Sequence, residues 1–304
     1  MLRDTVKPVL TRVFIQIGRG FAMGAADIVP GVSGGTVALL FGIYETLIGE
    51  LRKGAGALAR FLRLDWKGGL ARLKGVDWTF LLSLLGGIVM AVLVLISWLR
   101  TQIEEHPVQV SAVFFGLVAA SIVVARREIT RWTMTRLAVL TGFAGVAFVL
   151  LGQRSGGLED PSLIVVFVAG SIAICAMILP GISGSFILLM FGLYDYVTVA
   201  IDDRDMKIIM VFGFGALVGI SSFSTFLHWL LGRFRDVVIA ALLGLMIGSL
   251  RVLWPWPSGE QGLDNVALGQ PVSGELVGAI VGALIAAAVV MAVGEIGYRK
   301  TQGS

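Results

Sequence analysis

Charge is what this chain of 304 residues has least of: 14% of its residues are Asp, Glu, Lys or Arg, against 57% hydrophobic. Soluble globular domains carry about a quarter charged residues, so a soluble fold is excluded. There is one cysteine, Cys175, inside an apolar run. No intrachain disulfide can form, and a packing role is expected. With two histidines, His106 and His228, and no HExxH or CxxC pattern, a metal or redox enzyme has no ligand set. The short alternating segments of an outer-membrane barrel are missing as well. The longest polar interval, 49–77, is too short to bury a core of its own.

Long apolar runs are what the chain does have. "FLLSLLGGIVMAVLVLISWL" at 80–99 and "ELVGAIVGALIAAAVVMAVG" at 275–294 match the roughly 20 residues that cross a bilayer core. The fold class is all-α and polytopic. Six plain spans are predicted at 78–99, 108–126, 136–152, 207–231, 237–254 and 275–298, with two interrupted segments at 13–48 and 163–201. Lys and Arg set the sidedness. With the N-terminus in the cytoplasm, Arg3, Lys7, Arg12, Arg19, the interval from Arg52 to Lys74, Arg126, Arg127, Arg131, Arg136, Arg233, Arg235, Arg299 and Lys300 all face that side. Glu104, Glu105, Glu159, Asp160, Asp202, Asp203, Asp205, Glu260 and Asp264 fall outside. Both termini are therefore expected in the cytoplasm. The basic stretch 51–74 reads as a positive-inside loop or as an amphipathic segment on an anionic surface.

The interrupted segments repeat one another at an offset of 150. "ADIVPGVSGGTVALLFGIYE" at 26–45 aligns with "AMILPGISGSFILLMFGLYD" at 176–195, and "SAVFFGLVAASI" at 111–122 resembles "IAALLGLMIGSL" at 239–250. Each half, 1–152 and 153–304, is then one hairpin plus three spans. Three is odd, so the second half is predicted inverted, the architecture of many secondary transporters. Parity alone permits a re-entrant hairpin or two full spans with a tight turn. The uncharged tip favours a re-entrant hairpin with two arms of about 17 residues, its irregular backbone buried in protein.

Pro30 and Gly31 end one helix, and Ser33 suits the N-cap of the next, with Gly34, Gly35 and Thr36 in its first turn. Bare N–H groups and the positive dipole end suit a phosphate or carboxylate. Pro180, Gly181, Ser183, Gly184 and Ser185 repeat the design. The competing reading is that small residues only let helices pack closely. Arg19, in the first apolar run, could reach a bound phosphate or snorkel to headgroups. Asp27, Glu45 and Asp195 are ionisable groups within the hairpins. They are candidates for proton coupling; Glu45 and Asp195, which occupy matching positions, could instead bridge the hairpin bases. Tyr44 and Tyr194 read as interface anchors. "GVSG" at 31–34 and "GISG" at 181–184 also resemble the nucleophile signature of rhomboid-like intramembrane serine proteases. That chemistry needs a base, and His228, the one histidine within a span, cannot serve two symmetric serines.

"GRGFAMGAADIVPGVSGGTVALLFGIYETLI" at 18–48 and "AMILPGISGSFILLMFGLYDYV" at 176–197 closely resemble a bacterial membrane family described as polyprenyl-phosphate transporters. The resemblance covers nearly the whole chain. It implies movement of undecaprenyl phosphate, the lipid carrier of cell-wall synthesis, from the outer to the inner leaflet of the plasma membrane. Its first motif falls on Asp27, Pro30, Gly31, Ser33, Gly34, Gly35 and Thr36, and its second on Pro180, Gly181, Ser183, Gly184 and Ser185. The expected partners are a polyprenyl-phosphate lipid and the bilayer, with no nucleic acid, metal or cofactor. A small-anion transporter or channel is the alternative.

Overall fold

The computed structural model describes residues 2–28, 32–153, 158, 160–256 and 268–302. Pro30 and Gly31 lie outside the described residues. Every element among the described residues is helical: α1 (Leu2–Ile28), α2 (Gly34–Leu40), α3 (Tyr44–Leu62), α4 (Trp66–Lys74), α5 (Trp78–Glu105), α6 (Pro107–Ala125), α7 (Met134–Leu150), α8 (Leu163–Ile178), α9 (Gly184–Met190), α10 (Tyr194–Asp202), α11 (Met206–Ser249) and α12 (Ser273–Gln302), with a 3-10 turn at Arg126–Glu128. Local chemistry sets the starts. Asp77 accepts from Phe80 N ahead of α5, Thr133 accepts from Arg136 N ahead of α7, and Asp205 accepts from Lys207 N and Ile208 N ahead of α11, satisfying N–H groups that have no partner within the helix.

Among the described residues, four helices are long and apolar enough to cross a membrane: α5, α6 with its 3-10 extension, α11 and α12; α9 with α10, bent by 114°, would make a fifth. The chain is a polytopic helical membrane protein. Helices α7 and α8 are shorter and apolar. At 44 residues, α11 is about 66 Å long, twice the bilayer core. It bends at Phe234, whose φ of −135° and ψ of 42° are non-helical. Its legs, 206–233 and 235–249, correspond to the spans expected at 207–231 and 237–254, joined by a kink instead of a loop. Interval 49–77 also differs from a loop: α3 runs through its first half and α4 folds back, with Phe61 and Trp66 rings 5.6 Å apart.

The hairpins have unequal arms. In place of two arms of about 17 residues, α1 runs 27 residues and returns as the 7-residue α2. Likewise 16-residue α8 returns as 7-residue α9. The returning arms stop at Gly42 and Gly192, both at φ +66°. Ile43 N donates to Ala38 O and Gly42 N to Leu39 O, and Leu193 N and Gly192 N repeat the pair on Leu188 O and Leu189 O. This is the Schellman stop, which glycine fits because it tolerates positive φ. Seven residues rise about 10 Å, too short to cross a bilayer.

Packing relies on glycine. Helix α1 meets α5 at Gly20, against the Leu84 carbonyl, and α8 meets the first leg of α11 at Gly170, against the Phe212 carbonyl; a Cβ would have no room at either. The later helices cross between halves. Gly116 of α6 sits on Ala283 of α12, and Gly244, on the second leg of α11, sits on Leu140 of α7. Each half thus lends its last helix to the other. With lipid as solvent, close backbone approach supplies the association that water would otherwise drive. The core lies around α2, with Val37, Ala38, Leu39, Tyr44, Ile48, Phe80, Val118, Ile239, Leu243 and Met246 buried. Val277, Leu284, Ile285 and Val289 on α12 and Leu93 and Val94 on α5 are exposed, the surface a lipid environment covers.

Candidate functional site

The two hairpin tips meet. Ser33 takes extended backbone, φ −130° and ψ 136°, and caps α2 by accepting from Gly35 N at 3.1 Å. Its hydroxyl lies 3.2 Å from both Met177 O and Leu179 O, at the end of α8. Gly181 N donates to Thr36 Oγ1 at 2.9 Å. Gly35 completes the contact, because a Cβ there would stand 2.7 Å from Ile178 O. Ser33 and Thr36 are 1% and 0% exposed. These hydroxyls are therefore joined to the opposite tip and are not open to solvent.

Asp27, on the last turn of α1, places Oδ1 2.6 Å from Gly34 N. A carboxylate of the chain itself thus sits at the start of α2, where the sequence places an anion. On the second tip Ser183 is an N-cap without a side-chain cap bond, and its hydroxyl pairs with Ser185 Oγ at 2.8 Å. Gly181 has φ +84° and Gly184 packs on Ala173 O. Asp27→Ala should cost about 1–2 kcal/mol through the lost cap, while Asp27→Asn keeps an acceptor and most of that stability. Thermal midpoints of the purified variants check this.

Two cavities lie at corresponding places along the hairpins. The first, about 710 Å³, is lined by Arg19, Gly42, Tyr44, Glu45, Arg127 and Arg235 among others. The second, about 570 Å³, includes Gly192, Asp160, Asp195, Asp203 and Asp205. Glu45 and Asp195, matched in the alignment, line one each. Glu45 Oε1 accepts from Arg235 Nε at 2.6 Å, and Arg235 also binds Glu128 Oε2 at 2.6 Å and Glu128 O at 2.8 Å. This guanidinium ties the kink of α11 to the start of α3 and to the 3-10 turn. All three side chains are over a third exposed, so Arg235→Ala should cost under about 1 kcal/mol, read from the same thermal midpoints.

Tyr44 is not an interface anchor: it is 2% exposed and packs in the core, with its hydroxyl unpartnered among the described residues. His228 has its ring beside Gly49 of α3, and Ser33 has its hydroxyl on backbone carbonyls, so neither forms a serine–histidine pair with the other. The sequence reading missed Arg127, Arg235 and the two stop glycines as parts of the site. "FGIY" at 41–44 and "FGLY" at 191–194 carried the glycine signal, whereas nothing local ties Arg127 or Arg235 to Arg19.

Comparison with known proteins follows the same lines. A family described as "Undecaprenyl phosphate translocase-like" matches residues 23–268. A protein of Vibrio cholerae named "Polyprenyl-phosphate transporter" is 42% identical over 238 residues, 78% of this chain and 76% of that protein. One of Staphylococcus aureus with the same name is 31% identical over 260 residues, 80% of this chain and 86% of its own. No solved structure matches.

Proposed function

The chain belongs to the undecaprenyl phosphate translocase-like family, and on that premise we propose that it carries undecaprenyl phosphate across the bacterial plasma membrane, returning the carrier for cell-wall synthesis. The family and its named relatives are transporters, not enzymes. The observation that carries the reading is the tip-to-tip contact. Ser33, Thr36, Gly35 and Gly181 close on one another, and each hairpin carries a cavity, one with Arg19, Arg127 and Arg235 beside Glu45 and Glu128 in its wall and the other with Asp160, Asp195, Asp203 and Asp205. A carrier needs such a barrier, with a chamber on either side and polar groups that can exchange partners.

In this reading the phosphate headgroup is bound at the paired tips when they part. The hydroxyls of Ser33 and Thr36 and the N–H groups at the starts of α2 and α9 then trade protein partners for phosphate oxygens. Asp27 stands in for the anion at α2 while the tips are closed and must give way, by moving or by taking up a proton, when phosphate arrives. The two halves are inverted repeats. Both termini are cytoplasmic, which puts the basic cavity on the cytoplasmic side and the acidic cavity outside. Glu45 and Asp195, at matching positions, are the remaining candidates for coupling to an ion gradient.

Native mass spectrometry of the purified protein tests the substrate. Undecaprenyl phosphate should bind in preference to phosphatidylglycerol and undecaprenol, and the Ser33→Ala/Ser183→Ala variant should bind it more weakly. Binding no better than phosphatidylglycerol, with displacement by inorganic phosphate, would point instead to a small-anion carrier.

A further inference from the structure

We propose that the cavity at the elbow of the first hairpin is a second anion station, a docking site for a phosphate-monoester group held chiefly by Arg19. This deepens the transporter reading and rests on it for the lipid; the preference for a phosphate monoester rests on the cavity alone. Two observations converge there. Among the described residues Arg19 has no carboxylate partner. Its guanidinium has one 3.5 Å contact with Gln16 Oε1 and lies 6.0 Å from the centre of the Phe41 ring. The other arginines of the wall are committed, Arg235 to Glu45 and Glu128 and Arg127 to Glu295. Arg19 is thus a half-buried cation, within an apolar helix, facing a chamber of about 710 Å³. A charge in that setting needs an anion to offset its desolvation.

The second observation is the contrast between the two halves. At the offset of 150 that superposes the motifs, Arg19 corresponds to Ala169. Among the described residues, the wall of the cavity at the second hairpin has four aspartates, Asp160, Asp195, Asp203 and Asp205, and no lysine or arginine. Duplication alone would have made the chambers alike. One has a cation available for an anion, and the other repels one. Gly42 leaves the first chamber open, since a Cβ there would meet nothing within 4 Å. A guanidinium offers paired N–H donors that match two oxygens of one phosphate.

The test uses the full chain, reconstituted in nanodiscs, with undecaprenyl phosphate, inorganic phosphate, undecaprenol and phosphatidylglycerol as separate probes. Arg19→Gln should weaken undecaprenyl-phosphate binding by about ten-fold or more, as expected for a lost charge-assisted contact. Arg19→Lys should recover part of the loss, and Asp203→Asn in the other chamber should bind like the parent. An independent readout places a thiol in the wall, Thr46→Cys with Cys175→Ser, and follows its alkylation by a maleimide. Undecaprenyl phosphate should slow that reaction and undecaprenol should not. Protection by inorganic phosphate as well, with undecaprenyl phosphate binding no better than phosphatidylglycerol, would keep the station and overturn the lipid reading. Selective undecaprenyl-phosphate binding that neither depends on Arg19 nor protects the thiol would overturn the station and leave the transporter reading standing. If Arg19→Gln fails to fold, protection of the thiol decides alone.

Discussion

Gly181→Ala should destabilise the folded protein by about 2–5 kcal/mol, combining backbone strain with overpacking, and should abolish transport. Gly181 stands at φ +84°, where an L side chain is strained, and a Cβ would come within 2.7 Å of Met246 Cα and 2.9 Å of Ser249 Oγ. The Met246 backbone cannot move aside, because Met246 is fully buried in the core and Gly248 beside it is pressed against α7. The second tip would have to withdraw, breaking the bond from Gly181 N to Thr36 Oγ1. Gly18→Ala is the matched control. Gly18 lies within α1, and a Cβ added there would meet nothing within 4 Å, so alanine should raise stability by about 0.5–1 kcal/mol through helix propensity. Thermal unfolding of the two purified variants, with transport measured in proteoliposomes, reads both. Equal midpoints would mean that the tip does not hold its conformation under tension.

The second large effect is expected from Ser33→Ala combined with Thr36→Val. Ser33→Ala removes a cap and the hydroxyl facing two carbonyls. Thr36→Val keeps the shape but leaves Gly181 N–H buried without its acceptor. Each change should cost about 1–3 kcal/mol, the penalty of an unmet buried polar group. The sites share one interface, so the double variant should depart from the sum of the singles. Its signature in function should be distinctive. If the closed tips form the barrier, proteoliposomes carrying the double variant should leak phosphate, while a variant of the lipid-facing surface such as Leu284→Ala should not. Tight proteoliposomes with reduced lipid binding would assign the hydroxyls to substrate alone.

Much of this was legible in the string. Ser33 and Ser183 read as N-caps because proline and glycine precede them and small residues follow, and both take extended backbone in the structure. Run length made α5, α6 and α12 legible as spans, whereas α7 is shorter than a span and no local feature announced the kink at Phe234, where two expected spans share one helix. Equal hairpin arms do not form, and the reason is local. The apolar run continues through Phe41 and beyond, and hydropathy does not distinguish a helix from a chain that reverses at a glycine. "FGIY" and "FGLY" held the stop signal, but in an apolar context it competes with the expectation of continuous helix.

Composition, run length and the repeated proline–glycine–serine breaks determined by themselves that the chain lives in a bilayer, that its backbone breaks at two matched places, and that helices restart at Ser33 and Ser183. Hydrophobic transfer and local backbone preference act within a few residues, so a string displays them. The tertiary structure decided that the two tips bind each other, that each half packs its last helix against the other half, and that among the described residues Arg19 stands without a carboxylate while Arg127 and Arg235 are paired. Those outcomes depend on contacts between residues more than 100 positions apart, such as Ser33 with Leu179 or Glu45 with Arg235. No local periodicity encodes such pairings; they follow from which glycine-lined surfaces can approach closely enough once the helices share one bilayer.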